Sequence, residues 1–209
     1  MEGLSELARG QCVTGNVIVL NGTSSAGKTT LAKAIQTTAD EPYQLFAFDQ
    51  FRDGLPDRFR GLNSPKGSPG YAGLNVVAAP DEGVVKAYIK LGEHALTMLH
   101  GMHQAIASFA HTGHHVIVDH YVNHPRAADD LVSTFVGLKT TLVRVVCDRR
   151  ELLRRESLRP GRFPGTAETQ RDIMNECFEY DLTVDSTHTP ATELARDVLA
   201  YVATQTIGN

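Results

Sequence analysis

The sequence predicts an α/β domain of three layers, built on a mostly parallel five-stranded sheet. Apolar runs of strand length alternate with helix-like stretches along the chain, the order in which parallel strands are joined by helical crossovers. The first run, Val17-Ile18-Val19-Leu20, is apolar at every position, as a strand buried on both faces requires. It leads directly into Gly22-Thr23-Ser24-Ser25-Ala26-Gly27-Lys28-Thr29, which matches Gly-x-x-x-x-Gly-Lys-Thr and opens a helix-like stretch from Thr30 to Ala39. Strand, glycine-rich loop and helix in this order form a P-loop, whose backbone N–H groups curl around phosphate oxygens at the positive end of a helix.

The remaining elements follow in chain order. Residues 1–14 form an arm with weak periodicity. A second strand, Tyr43 to Asp49, ends in a carboxylate. From Gln50 to Pro80 repeated glycine and proline break any periodicity, which predicts an irregular segment placed to cover a substrate, or a mobile loop. From Val84 to Ala110 the positions Leu91, Ala95, Met98, Met102, Ile106 and Phe109 recur at steps of three and four and predict one long amphipathic helix. Its methionines read as core filling. A third strand, His114 to His120, carries Asp119 near its end, and Pro125 opens a helix over 126–136. The fourth strand, Thr141 to Asp148, runs into a basic helix over 149–158 and a Pro-Gly turn over 159–165. Helix 166–178, a short strand 182–185 and a closing helix 190–204 complete the chain.

The chain has 209 residues, 42% hydrophobic and 21% charged, which fits one globular domain. A net charge of −4 argues against binding nucleic acid through bulk electrostatics. Cys12, Cys147 and Cys177 are odd in number and widely spaced, so neither a disulfide framework nor a metal knuckle is expected. Without a basic leader or a membrane-length apolar run, the expectation is a cytoplasmic protein that does not enter membranes.

A P-loop implies a nucleoside triphosphate. Gly22 to Thr29, with Thr30 just beyond, would cradle its phosphates, Lys28 would reach the β- and γ-phosphates, and the Thr29 hydroxyl would ligate Mg²⁺. Phosphoryl transfer also needs a metal-side acid, a group that orients or deprotonates the acceptor, and positive charge around the moving group. Asp119 is the candidate for the metal, Asp49 for the general base; spacing alone leaves the reverse division open. Arg155, Arg159 and Arg162 flank the Pro-Gly turn as candidates for a lid over 149–165, against the reading of a solvated helical face paired with acids. Arg154 fits that salt-bridge reading through Glu151 and Glu156. Nine histidines raise a metal reading, but no pair has His-Glu-x-x-His spacing; His120 is the candidate for contact with substrate or metal-bound water.

Asn21-Gly22-Thr23-Ser24-Ser25-Ala26-Gly27-Lys28-Thr29, the strand ending Phe46-Ala47-Phe48-Asp49, Cys147-Asp148 before the basic helix, and Glu179 to His188 together resemble the chloramphenicol phosphotransferase-like family over residues 16–203. The resemblance implies a P-loop kinase fold with a helical lid, ATP and Mg²⁺ as cofactors, and γ-phosphoryl transfer to a hydroxyl of a small antibiotic. The family's catalytic aspartate matches Asp49, and its lid arginines match Arg155, Arg159 and Arg162. Thr23 and His120 depart from the family's pattern, as do residues 57–80, so the acceptor is expected to differ from chloramphenicol. Rival readings are a metabolic kinase of a nucleoside or sugar, a toxin-type kinase of nucleotide sugars, and a non-enzymatic nucleotide-binding module. A GTPase would need Asn-Lys-x-Asp, and no asparagine here precedes lysine.

Overall fold

A computed structural model describes residues 14–81, 84–159, 165–173 and 178–206. The elements run β1 (Asn16–Asn21), α1 (Lys28–Thr38), β2 (Tyr43–Ala47), α2 (Phe48–Asp53), a 3₁₀ turn (Asp57–Phe59), β3 (Arg60–Leu62), α3 (Pro69–Ala72), β4 (Leu74–Asp81) and β5 (Val84–Leu91). They continue with α4 (Glu93–His111), β6 (His115–His120), α5 (Pro125–Thr134), β7 (Lys139–Val146), α6 (Arg149–Ser157), α7 (Thr166–Ile173), β8 (Leu182–Asp185) and α8 (Ala191–Thr206). The main sheet has the order β2-β6-β1-β7-β8, and every neighbouring pair in it is parallel.

β1 shows why the sheet is covered twice. Val17 and Val19 point into a core shared with α4 and α5, while Ile18 and Leu20 point into a second core shared with α1 and α8. All four are 0% exposed. Side chains alternate across a strand, so a continuous apolar run serves two helix layers at once, at about 1.5–3 kcal/mol of burial per residue. The element that carries the P-loop is thereby anchored from both faces. Local caps set the helix starts: the Asp148 carboxylate accepts from Glu151 N–H at 3.0 Å to begin α6, and Pro125 occupies the first turn of α5.

Two expectations are corrected. The predicted helix over 84–110 begins only at Glu93; residues 84–91 form β5, antiparallel to β4. Lys86-Ala87-Tyr88-Ile89-Lys90 alternates polar and apolar with period two, and Ala87 is buried while Tyr88 and Lys90 are exposed. Leu91 belongs to this strand; the helical stripe starts at Ala95. The segment 50–80 is not irregular throughout either. It contains most of α2, the 3₁₀ turn, β3, α3 and β4, and its strands build a second sheet, β3-β4-β5. Its glycines serve close packing: a Cβ on Gly73 would lie 2.1 Å from the Phe59 carbonyl oxygen. Among the described residues no helix is long and apolar enough to cross a membrane.

Candidate active site

The P-loop follows β1 with two residues in the left-handed region, Ser25 at φ 63° and Gly27 at φ 91°. Gly27 caps α1, so the N-terminus of that helix opens at the loop. Gly22 must be glycine for another reason: a Cβ there would lie 2.4 Å from the Val145 carbonyl oxygen on β7. The Lys28 ammonium folds back over the loop and donates to the carbonyls of Gly22 (2.8 Å) and Thr23 (2.9 Å). The Ser24 and Ser25 hydroxyls are buried without a hydrogen-bond partner among the described residues. Polar atoms left this way call for a polar ligand, and a polyphosphate fits the cradle.

The register of the sheet brings the acids to this loop. Asp119 of β6 lies level with Leu20 of β1 and Ala47 of β2, and the Thr29 hydroxyl donates to Asp119 Oδ2 at 2.5 Å. A hydroxyl and a carboxylate are the hard oxygen donors that suit Mg²⁺. Asp49 lies not on the strand end but in the first turn of α2. β2 stops at Ala47, whose N–H donates to the Gln50 side chain at 3.0 Å and so starts the helix. Arg52, one turn on, donates to Asp49 Oδ1 at 2.7 Å.

Asp49, Asp119, Lys28 and Thr29 line one cavity of about 550 Å³. Ser24, Ser25, Gly27 and Thr30 line it as well, whereas Gly22, Thr23 and Ala26 do not. Each of these is engaged elsewhere: Gly22 is packed on β7, the Thr23 carbonyl accepts from Lys28, and the Ala26 carbonyl accepts from the Ser186 hydroxyl at 2.7 Å. Of residues 50–80 only Arg52 reaches the cavity. The opposite wall is Phe48, Ile89 and Tyr121, with Leu158 and Arg159 from the end of α6. Gln170 of α7 also enters, and its side-chain oxygen accepts from Ser24 N–H at 2.6 Å. Arg52 lies in the segment expected to cover the substrate, whereas Gln170, Ile89 and Tyr121 carry no sequence signal of their own.

A family model for chloramphenicol phosphotransferase-like protein matches residues 15–203. The chain belongs to that family. A Mycobacterium tuberculosis (strain H37Rv) protein to which an O-phosphotransferase function is provisionally assigned is 32% identical over 184 residues, covering 88% of this chain and 80% of its own. The family and this relative place the chain among kinase-type phosphotransferases with a hydroxyl acceptor. The fold is shared with solved structures at low identity. The Mycobacterium tuberculosis APS kinase in complex with AMPPNP and APS gives a TM-score of 0.63 at 14% identity, covering 91% of this chain and 98% of its own. A tunicamycin resistance protein of Deinococcus radiodurans gives 0.57 at 16%, covering 90% and 95%.

In this phosphotransferase the arginines of α6 divide. Arg154 makes a two-point ion pair with Glu151, at 2.7 Å through each nitrogen, and stays outside the cavity. Together with Arg155 it holds the Glu151 carboxyl down at about 2. Arg155 lines the cavity as a strut: its Nε donates to Glu151 at 2.8 Å, Nη1 to the Ser186 hydroxyl at 3.1 Å and Nη2 to the Ser186 carbonyl at 2.7 Å. Ser186 in turn holds the P-loop at Ala26. Arg159 lines the cavity and is exposed. Arg162 lies outside the described residues. Arg155→Ala is expected to lower turnover about tenfold or more, since it removes charge-assisted hydrogen bonds that tie α6 to Ser186 and through it to the P-loop. Arg154→Ala is expected to stay within about twofold, as an exposed pair is worth little. Parallel kinetics and melting curves check this, and equal losses in both variants would count against it.

His120, which departs from the family's pattern, is 0% exposed and lines the cavity from the core side. Both of its ring nitrogens are used, Nδ1 accepting from Tyr121 N–H at 2.8 Å and Nε2 lying 2.9 Å from His103 Nε2. The ring can therefore pack against what fills the cavity, but neither nitrogen is left to bond substrate or metal-bound water. His103 Nδ1 lies 2.5 Å from Asp130 Oδ2, and His100 Nδ1 2.6 Å from Asp130 Oδ1. Burial lowers the His103 pKa below its ordinary 6.5, and the adjacent Asp130 offsets this only in part. With a depressed folded value, the unfolded chain binds more protons as pH falls through 6.5, so this stabilisation is present above pH 6.5 and is lost on acidification. Melting temperature is expected to fall from pH 7.5 to 5.5 (on the order of one proton for this group), and less steeply in His103→Leu.

Proposed function

We propose that this chain transfers the γ-phosphoryl group of ATP, with Mg²⁺, to a hydroxyl of a small antibiotic-like molecule. The observation that carries the reading is the convergence of Asp49, Asp119, Lys28 and Thr29 on one cavity with the P-loop. When bound, ATP supplies the phosphoryl group and Mg²⁺ offsets its negative charge. Thr29 and Asp119 would hold the metal, and the P-loop N–H groups with Lys28 would hold the phosphates. Asp49, its Oδ1 fixed by Arg52, would accept the acceptor's hydroxyl proton or align that hydroxyl. Arg155 and Arg159 would set positive charge at the lid side.

Phe48, Ile89, Tyr121 and Leu158 give the acceptor side an apolar wall, with Asp49 and Arg52 as polar contacts. Such a wall suits a bulky, partly polar hydroxylated molecule. The family's name favours an antibiotic over a sugar or nucleoside. None of residues 57–78 lines the cavity, so their departure from the family pattern is no reason to set chloramphenicol aside. The test incubates the protein with ATP and Mg²⁺ and a panel of hydroxylated antibiotics, chloramphenicol included, alongside sugars and nucleosides. Mass spectrometry is expected to show one phosphate added to an antibiotic. Products only from sugars or nucleosides would overturn the acceptor class, and none from any member would overturn the reading.

A further inference from the structure

Asp49 and Asp119 sit on separate elements, and a buried chain of side chains runs up to both. Tyr121 N–H donates to His120 Nδ1, so that nitrogen bears no hydrogen and the neutral ring carries it on Nε2. Nε2–H then donates to His103 Nε2, which leaves the His103 hydrogen on Nδ1, given to Asp130 Oδ2. Each ring's tautomer is fixed by its neighbour. Both imidazoles are 0% exposed, and on the outer side the chain meets solvent at Asp130, whose side chain is 26% exposed, and at His100, 55% exposed. Phe48 lies stacked on the His120 ring, with centroids 6.2 Å apart and planes 20° apart, and edge-on to Tyr121. His120 directly follows Asp119, and Phe48 directly precedes Asp49. One imidazole, locked from α4 and α5, is thus the covalent neighbour of one acid and the packing support of the other.

Two leucines would fill the positions of His103 and His120 without the desolvation that buried polar rings incur. What leucines would not supply is direction. We propose that His103, held by Asp130, is a positioning residue for phosphoryl transfer: through His120 and Phe48 it fixes Asp119 and Asp49 relative to each other across the cavity. This rests on the reading of those two aspartates as the reaction's carboxylates. Supports of this kind act on a metal-side acid without touching the metal.

The test compares His103→Leu, His103→Gln and Phe135→Leu in the full chain. Glutamine keeps an acceptor toward His120. Phe135 packs edge-on against His103 at 6.0 Å, so its loss loosens the same ring without removing a hydrogen bond. One readout needs no acceptor, namely the Mg²⁺ concentration giving half-maximal binding of AMPPNP; the others are turnover with the acceptor found in the panel and melting temperature. His103→Leu is expected to raise the Mg²⁺ requirement and lower turnover, each about tenfold, with the KM for ATP at saturating Mg²⁺ nearly unchanged. His103→Gln should recover both to within about threefold, and Phe135→Leu should lower melting temperature alone. Asp130→Ala should move the Mg²⁺ requirement the same way and serves if His103→Leu does not fold. The proposal is overturned if Phe135→Leu matches His103→Leu at equal loss of melting temperature, or if glutamine is no better than leucine. A wild type that binds AMPPNP yet phosphorylates nothing in the panel would sink the functional reading, while the Mg²⁺ readout would still decide the positioning role.

Discussion

Lys28→Ala is expected to lower turnover at least about a thousandfold while moving the melting temperature by only a few degrees. The asymmetry follows from where the ammonium spends its hydrogen bonds. It is bonded to the carbonyls of Gly22 and Thr23, contacts of 2.8 and 2.9 Å on a half-buried side chain, each worth about 1 kcal/mol net. β1 and α1 stay anchored by residues that the substitution does not touch: Val17, Ile18, Val19 and Leu20 are fully buried, and so are Leu31, Ala32 and Ile35. Against this, a full positive charge beside a phosphoryl group in flight acts on charge that develops only in the transition state, where its loss is most costly. Melting curves and initial rates on the same preparation decide the matter. A folded Lys28→Ala protein with wild-type turnover would end the assignment of this loop to phosphoryl transfer.

What could be read beforehand, and what could not, follows from the range of each signal. The P-loop was legible because its chemistry resides in eight consecutive residues and its strand is apolar at every position. Asp119 was legible as a strand-end acid, but its bond to Thr29, ninety residues away in sequence, depends on the register of β6 against β1. The start of α4 was misplaced because Leu91 continues the three-and-four spacing of Ala95 and Met98 backwards, hiding the two-residue alternation of β5. β3 is three residues long and contains a glycine, too short for any period to show. His120 appeared free for substrate because its partners are a backbone N–H and a histidine seventeen positions earlier on another element. Gln170 gave no signal at all: one amide on a polar helix becomes part of the site only once α7 is laid against the P-loop.

Asp49→Asn is expected to lower turnover about 10²- to 10⁴-fold with ATP binding preserved, whereas Asp119→Asn is expected to raise the Mg²⁺ requirement. The two acids differ in what surrounds them. Asp119 is almost fully buried, shares its Oδ2 with the Thr29 hydroxyl and sits within the sheet beside the loop, so its partners all belong to the phosphate side. The Asp49 side chain is 42% exposed, bonded to Arg52 and flanked by Phe48, on the side walled by Ile89 and Tyr121. On the proposed reading, a carboxylate there would meet the acceptor before the phosphates. Asparagine keeps the shape of either side chain and removes its charge and basicity, so both variants should fold. Turnover titrated against Mg²⁺ then separates them: Asp119→Asn should regain much of its rate at high metal, and Asp49→Asn should stay slow at every concentration. If Asp49→Asn instead recovers with added Mg²⁺ and Asp119→Asn does not, the two carboxylates have the opposite roles, with Asp49 on the metal and Asp119 facing the hydroxyl.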